Sequence, residues 1–288
     1  LPWLVGDSAT QKSRFAFWLR ALHRARSFRS VLVNSFPGEA GDLAAAADDG
    51  HPARQGPRGF PVGPLLAAGG GDNSTEQRAK GDGPPVAPCK QQPSSMWQAD
   101  STCMGWLDMQ RAASVVYVSF GSIWTYSKKQ MEEIANGLRR CGRPYLLVVR
   151  NDGRQEDVSR SLDDLVLEGQ GMVVEWCDQP KVLSHASVGC FVTHCGWNST
   201  LEAMALGVPV IAAPSLFDQP TNAFLIEEEW ASGVRGERNS EGVFTGEELA
   251  RCVELLMGHG PRAIEIRERV EALKGMAQEA AASGGPAE

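Results

Sequence analysis

Polar residues able to do chemistry cluster at one turn, His194 to Ser199, which reads His-Cys-Gly-Trp-Asn-Ser. The apolar run at residues 188–193 before the turn has the length of a buried strand. A helical pattern at residues 200–206 follows the turn and stops at Gly207. Open α/β sheets bind their ligands where a buried parallel strand ends and a helix begins. We therefore expect this turn to hold a ligand.

The start of the predicted helix is suited to binding an anion. The first backbone N–H groups of a helix have no partner inside it, and the helix dipole places partial positive charge there. Asn198 and Ser199 are residue types that cap such an end, and they share a helix face with Glu202. Gly196 lets a ligand approach the backbone, and His194 can donate a hydrogen bond. The turn therefore predicts a phosphate held mainly by N–H dipoles, hydroxyl and imidazole.

Other polar side chains suggest what is attached to the phosphate. Trp176 ends the strand-like run at residues 172–175, where its ring can stack on a base. Glu202 can accept hydrogen bonds from a ribose diol, as an acidic residue does in dinucleotide folds. Asp218 offers acceptors to a sugar, and Gln219 offers both a donor and an acceptor. Base, ribose, phosphates and hexose together describe a nucleotide sugar.

The same residues allow other interpretations. Trp176 and Trp197 are each as well explained as core aromatics. Four side chains suggest metal ligands, but their spacing fits no common zinc pattern: His185, Cys190, His194 and Cys195. Adjacent residues at a strand end point to opposite faces, which argues against His194 and Cys195 as a base and thiol nucleophile. No acidic cluster suited to Mg²⁺ lies beside the turn, so no metal cofactor is expected.

Residues 176–219 resemble the nucleotide-sugar box of plant secondary-product UDP-glycosyltransferases, enzymes with the two-domain GT-B fold. The resemblance implies that Trp176 stacks on uracil and that the Cys177 backbone bonds the edge of that base. It also implies that Gln179 and Glu202 hold the ribose. The resemblance further implies UDP-glucose as the donor substrate, and no separate cofactor is expected.

The resemblance extends to the phosphate and sugar ends. Three residues are implied to hold the diphosphate, with Gly196 giving access to it: His194, Asn198 and Ser199. Three are implied to face the sugar: Trp197, Asp218 and Gln219. Ser122 follows another buried strand and resembles the phosphate-side loop of the family. Asp178 departs from the family, which usually has Pro there, and the departure puts the conformation of that loop in question.

Length, charge and cysteine content limit the class of protein. The chain has 288 residues, a net charge of −7 and seven cysteines without framework spacing. A negative chain has no electrostatic support for binding nucleic acid, and scattered cysteines favour a reducing compartment. No apolar run is long enough to span a membrane, and no signal peptide is recognised. We expect a cytoplasmic monomer, and the resemblance implies a UDP-sugar and a small hydroxylated acceptor as its partners.

Alternating strand and helix patterns predict a doubly wound parallel sheet of Rossmann type, the C-terminal half of a GT-B fold. Residues 1–65 resemble a remnant of the N-terminal acceptor-binding domain, with a basic amphipathic helix and a short strand at residues 31–33. Residues 66–102 form a Gly- and Pro-rich linker. Residues 103–288 form the UDP-sugar-binding domain, with further strands at residues 115–120 and 145–149.

The resemblance implies inverting transfer of glucose from UDP-glucose to a hydroxyl of a small molecule. In the family, a His oriented by an Asp is the base, and both lie in the N-terminal domain, so no catalytic residue is expected here. This chain would supply the donor half and lack activity alone. A catalytically silent UDP-sugar-binding protein is the alternative. An NAD(P) enzyme is disfavoured because no G-x-G-x-x-G follows a strand.

Overall fold

The computed structural model describes residues 30–33, 58–61, 102–121, 127–150 and 171–281. The expected basic helix and Ser122 lie outside these ranges, as does the expected linker except for Thr102. Strand β1, Ser30–Val33, includes the strand predicted at residues 31–33 and pairs in parallel with β2, Arg58–Pro61.

Six parallel strands form the main sheet. Their bounds are Val115–Ser119 for β3, Tyr145–Val148 for β4, Gly171–Val174 for β5, Val188–Thr193 for β6, Val210–Ala212 for β7 and Gly233–Arg235 for β8. The strand order is β5-β4-β3-β6-β7-β8, and each neighbouring pair is parallel. The predicted doubly wound sheet is confirmed.

The order of the strands places the expected site at the reversal of the winding. The chain moves outward from β3 to β5, returns to lay β6 against β3, and moves outward again to β8. Ser119 of β3 is in register with Thr193 of β6, so Phe120 and Gly121 after β3 lie beside the start of the turn after β6. A crevice at such a reversal is where open α/β sheets hold their ligands.

Seven α-helices and one π-helix accompany the strands in the described ranges. They are α1, Thr102–Asp108; α2, Lys128–Cys141; α3, Gln179–Leu183; α4, Trp197–Leu206; α5, Gln219–Phe224; the π-helix Leu225–Glu229; α6, Gly246–Met257; and α7, Pro261–Ala281. Helix α4 includes the helical pattern at residues 200–206.

Alternate side chains of the central strands fill two cores, one on each face of the sheet. Tyr117 and Phe191 stack with ring centroids 4.8 Å apart on the face covered by α4 and most of α7. Val116 and Val118 lie on the other face with α2 and α6. Burial of each large apolar side chain contributes about 1.5–3 kcal/mol, so the central strands form a rigid base for the turns at their ends.

Helix caps partly follow the sequence signals. Ser127 and Gln130 have the spacing of a capping box, and Ser127 accepts from the backbone N–H of Gln130 at 3.2 Å at the start of α2. The side-chain oxygen of Gln130, which would accept the reciprocal bond, instead accepts from the Phe244 N–H at 3.0 Å. Helix α5 is continued by the wider π form at Leu225, and this places the Trp230 N–H 2.8 Å from the Leu225 carbonyl.

Candidate functional site

The turn after β6 reverses the chain within three residues. Cys195 is fully buried and adopts φ +63°, a left-handed conformation that is uncommon outside glycine. Its N–H donates to the Thr193 hydroxyl at 3.3 Å, and its carbonyl accepts from the Asn222 side-chain amide at 2.9 Å. These bonds hold the strained turn, so α4 begins immediately above the end of the strand.

Helix α4 starts earlier than its sequence pattern indicates. Gly196, with φ −60° and ψ 145°, is the N-cap residue, and among the described residues no side chain caps the helix. The expectation that Asn198 and Ser199 are the cap is wrong, since both lie in the first turn. The first helical bond joins the Thr200 N–H to the Gly196 carbonyl at 3.0 Å. The N–H groups preceding it have no helical partner, which makes this end suitable for an anion.

The His194 ring is enclosed by two glycines. A Cβ at Gly121 would lie 2.6 Å from Cε1, and one at Gly196 would lie 2.6 Å from Nε2. Gly121 also has φ +74°, so glycine is required there for both space and conformation. Burial lowers the pKa of His194, against a smaller opposing effect of Asp218. The imidazole is therefore neutral near pH 7, with one nitrogen available to donate.

Gln179 joins three elements through its side-chain amide. Nε2 donates to Glu202 Oε2 at 2.6 Å and to Ser199 Oγ at 3.0 Å, and Oε1 accepts from the Tyr117 hydroxyl at 3.3 Å. Burial raises the pKa of Glu202, and the bond from Gln179 opposes that rise. Burial likewise raises the pKa of Tyr117, so this phenol is a neutral donor. We call Tyr117, Gln179, Ser199 and Glu202 the ribose network, after the ligand expected there.

The segment after β5 crosses the sheet edge towards β3. Trp176 is half-buried directly after the strand, and Cys177 is buried with its Sγ 3.3 Å from the Tyr117 hydroxyl. Asp178 is the N-cap of α3 and accepts from the Lys181 N–H at 3.3 Å. The departure from Pro at position 178 therefore gives a capped helix start, which places Gln179 in the first turn.

The expected sugar end lies in the loop between β7 and α5. Gln219 is buried, and its Oε1 accepts from the N–H groups of Ser215 at 2.9 Å and Leu216 at 3.0 Å. An amide oxygen has two lone pairs, so both are used within the loop. The expectation that Gln219 offers an acceptor as well as a donor is wrong, because the NH₂ group alone is left. Asp218 is exposed, and its Oδ2 accepts from Asn222 at 2.8 Å.

Comparison with known proteins identifies the family. The family model described as UDP-glucoronosyl and UDP-glucosyl transferase matches residues 97–259. The chain belongs to this family. It is 40% identical over 264 residues to UDP-glycosyltransferase 84B1 of Arabidopsis thaliana, covering 90% of this chain and 53% of the relative. It is 47% identical over 188 residues to the chloroplastic crocetin glucosyltransferase of Gardenia jasminoides, covering 64% of this chain and 40% of the relative.

Solved structures of UDP-glycosyltransferases have the same fold. Os79 from O. sativa in complex with UDP matches with a TM-score of 0.74 and 32% identity, covering 97% of this chain and 58% of that one. Phytolacca americana UGT2, complexed with UDP-2fluoro-glucose and pterostilbene, matches with a TM-score of 0.74 and 29% identity, covering 96% of this chain and 54% of that one. The chain spans about half the length of the relatives it matches.

Two side chains of this cluster were not identified from the sequence. Tyr117 is a polar-tipped residue inside the apolar run of β3, and that contrast was the available signal. Asn222 lies four residues after Asp218, a spacing at which helical side chains meet, and it bonds both Asp218 and the Cys195 carbonyl. Trp197, expected to face the sugar, packs its ring against Trp230 with centroids 6.3 Å apart.

The disfavoured interpretations gain no support from this UDP-glycosyltransferase domain. His185 bonds Ser187 at 2.7 Å and Asp108 at 3.1 Å, as a structural histidine does. Burial raises the pKa of the Cys190 and Cys195 thiols, so neither is a ready thiolate. Within the described ranges, no cluster of metal-ligating side chains is found. No helix in those ranges is long and apolar enough to cross a membrane.

Proposed function

We propose that this chain binds a UDP-sugar in the crevice between the turns after β3 and β6. The observation that carries the proposal is the contact of Gln179 with both Glu202 and Ser199, at 2.6 Å and 3.0 Å. It places an acidic acceptor and a hydroxyl together within the first two turns of α4. Such a group suits a ribose diol on one side and a phosphate on the other.

The ribose network is suited to donors on a ligand. The Gln179 NH₂ group already donates twice within the protein, so what remains for a ligand is acceptor capacity on Gln179 and Glu202. A ribose diol supplies two hydroxyl donors that match those acceptors. Ser199 Oγ accepts from Gln179, and its own hydroxyl proton is left to donate to a phosphate oxygen.

The phosphate end needs no cation in this proposal. The start of α4 supplies backbone N–H groups and the positive end of a dipole, and His194 supplies a neutral imidazole donor. Donors held in place before reaction stabilise the negative charge that develops on a departing diphosphate. Trp176, half-buried beside this edge, is the proposed platform for the uracil ring.

We propose glucose as the transferred sugar. Asp218 can accept from two neighbouring hydroxyls, and the Gln219 NH₂ group can donate to one. A uronate would bring a carboxylate towards Asp218, and residues 176–219 contain no Arg to pair with it. Relatives named as glucosyltransferases, and a solved relative complexed with UDP-2fluoro-glucose, support this choice.

We further propose that the whole enzyme transfers the sugar to a hydroxyl of a small molecule with inversion, and that this chain alone is inactive. Of the three histidines in the described ranges, His185 is bonded to Ser187 and Asp108, and His259 lies between α6 and α7. His194 is assigned to the diphosphate, so none of these three is the proposed base, which the family resemblance places in the N-terminal domain.

Calorimetry with UDP tests the binding proposal. Trp176→Ala should weaken UDP binding by about 1–3 kcal/mol, the scale of a base stacked on an aromatic ring. Trp106→Ala is the matched control, because Trp106 is also half-buried and lies on α1, outside residues 176–219. Thermal unfolding of both variants checks that they are folded.

Equal UDP affinity in the folded Trp176→Ala variant and the wild type would reject the stacking role. Failure of the wild type to bind UDP would reject the proposed function itself. The same preparation, incubated with UDP-glucose and a panel of phenols, should give no glycoside above a heat-inactivated control. Turnover by this chain alone would overturn the assignment of the base to another region.

A further inference from the structure

Arg238 joins three separate parts of the domain through one guanidinium group. Nη1 donates to the Gly242 carbonyl at 2.8 Å and to Gln130 Oε1 at 3.4 Å. Nη2 donates to the Pro214 carbonyl at 2.8 Å and to Ser215 Oγ at 3.2 Å. The side chain thus connects the first turn of α2, the turn at residues 238–244, and the loop that follows β7.

The anchor of Arg238 is rigid on the side of α2. Gln130 is buried, and its amide bonds both the N–H of Phe244 at 3.0 Å and the carbonyl of the same residue at 2.7 Å. Arg238 and Phe244 also form an antiparallel bridge that closes the turn. An ion pair between Lys129 and Glu241 connects the same two parts at the surface. The guanidinium therefore extends from a fixed base.

The other side of Arg238 holds the loop that orients Gln219. The backbone N–H groups of Ser215 and Leu216 both donate to Gln219 Oε1. Because those bonds use both lone pairs of the oxygen, they fix the plane of the amide and the direction of its NH₂ group. Pro214 and Ser215, which Arg238 holds, belong to the same loop. A displacement of the loop would therefore turn the Gln219 amide.

We propose that Arg238 is a positioning residue for the sugar end of the donor site. It holds residues 214–216 so that the Gln219 NH₂ group keeps one direction towards the sugar. This inference rests on the proposed function, and it assigns Arg238 no contact with the ligand. The planar guanidinium holds Nη1 and Nη2 at a fixed separation, and each donates to a different carbonyl at 2.8 Å, whereas a Lys ammonium is a single donor centre on a flexible stem.

The test compares the wild type with Arg238→Lys and Arg238→Ala, and uses Arg235→Lys as the control. Arg235 is also exposed, three residues away, but pairs with Glu227. Calorimetry measures Kd for UDP and for UDP-glucose, and the ratio of the two gives the contribution of the sugar. Both Arg238 variants should reduce that contribution about three- to tenfold, as expected for one lost hydrogen bond. UDP affinity alone should stay within about twofold.

A second measurement needs no ligand. In an amide nitrogen–proton correlation spectrum, the Gln219 side-chain NH₂ signals are assigned by their loss in Gln219→Leu. These signals should move in both Arg238 variants and stay in place in Arg235→Lys. A purely structural role for Arg238 would lower the unfolding temperature without changing the UDP to UDP-glucose ratio.

The outcomes separate this proposal from the proposed function. A wild type that binds neither UDP nor UDP-glucose rejects the function, and the positioning role with it. A wild type that binds both while the ratio stays unchanged in both Arg238 variants overturns the positioning role alone. Movement of the Gln219 signals without a change in that ratio also overturns it, because the orientation of the amide would then not affect sugar binding.

Discussion

The tripeptide Asp-Gln-Pro occurs twice in the chain, at residues 178–180 and 218–220. Each copy begins a short helix, with Asp at the N-cap and Pro in the first turn. The two glutamines nevertheless do different work. Gln179 reaches across to the ribose network, whereas Gln219 turns back and bonds the backbone of its own loop.

The two copies differ in the backbone conformation of the Asp residue and in the elements that surround them. Asp178 has ψ 93° and caps its helix through the Lys181 N–H, whereas Asp218 has ψ −15° and bonds Asn222 instead. The first copy follows β5 and faces the packed side chains of β3 and α4. The second follows a loop whose N–H groups need an acceptor. The same tripeptide therefore makes different hydrogen bonds in the two places, because different polar groups surround it.

The largest expected difference between the copies concerns the two glutamines. Gln179→Leu should lower the free energy of unfolding by about 2–3 kcal/mol, because it leaves the partly buried Glu202 carboxylate and the Tyr117 hydroxyl short of a partner. Gln219→Leu should lower it by about 1 kcal/mol or less, since water can reach Ser215 and Leu216 in their loop. Urea denaturation of both variants measures the difference.

Ligand binding also distinguishes the two glutamine variants. Gln179→Leu should weaken UDP binding, whereas Gln219→Leu should leave UDP affinity nearly unchanged and weaken only the contribution of glucose. The two variants could instead lose the same stability and the same UDP affinity. That result would contradict the different roles given to Gln179 and Gln219.

A smaller effect is expected from the carboxylate that Gln179 contacts. Burial raises the pKa of Glu202 above its ordinary value of 4.5, so the folded protein holds the proton more tightly than the unfolded chain. Stability from this group is present at low pH and is lost as pH rises through the folded pKa. Glu202→Gln should therefore stabilise the unliganded protein at pH 7 and have little effect at pH 4. Reversible urea denaturation at the two pH values measures this.

UDP binding is the control for this prediction. If Glu202 accepts hydrogen bonds from the ribose, Glu202→Gln should weaken UDP binding even though it stabilises the unliganded protein. A destabilised variant with the same deficit at both pH values would show that the charge of Glu202 does not oppose folding. The first copy would then not face a buried charge.

The smallest effect concerns the two aspartates. Asp178→Ala should cost about 1 kcal/mol of stability, because an N-cap acceptor is lost. Asp218→Ala should cost less than about 0.5 kcal/mol, since Asp218 is exposed and its side chain caps no N–H. Thermal unfolding at matched protein concentration compares them. A larger loss for Asp218→Ala would mean that its bond to Asn222, and through it the Cys195 turn, carries more stability than the cap.

Much of the sheet could be predicted because buried parallel strands are short apolar runs. The strand at residues 188–193 was expected with the bounds that β6 has, and the helix after it was expected to end at Gly207. Ser199 and Glu202 were expected to share one helix face, and the bonds from Gln179 to both confirm it. These predictions depend on periodicity, which a sequence displays directly.

Features that depend on contacts distant in sequence could not be predicted in the same way. Tyr117 joins the ribose network only because β3 lies next to β6 in the sheet. Cys195 at φ +63° is not a residue type that signals a left-handed turn, so the early start of α4 was missed. The use of the Gln219 oxygen by Ser215 and Leu216 follows from the folded shape of the loop.

The two hydrogen bonds that Gln219 Oε1 accepts from Ser215 and Leu216 have an evolutionary consequence. Under the proposed function, one residue both builds the loop and presents the group that meets the sugar. Histidine or leucine at position 219 cannot give two backbone donors the same oxygen, so a mutation that changes the sugar-facing group also removes support from the loop. A lineage that changes its donor sugar at this position therefore passes through an ancestor with a loosened loop. Earlier changes near residues 214–216 would avoid that intermediate.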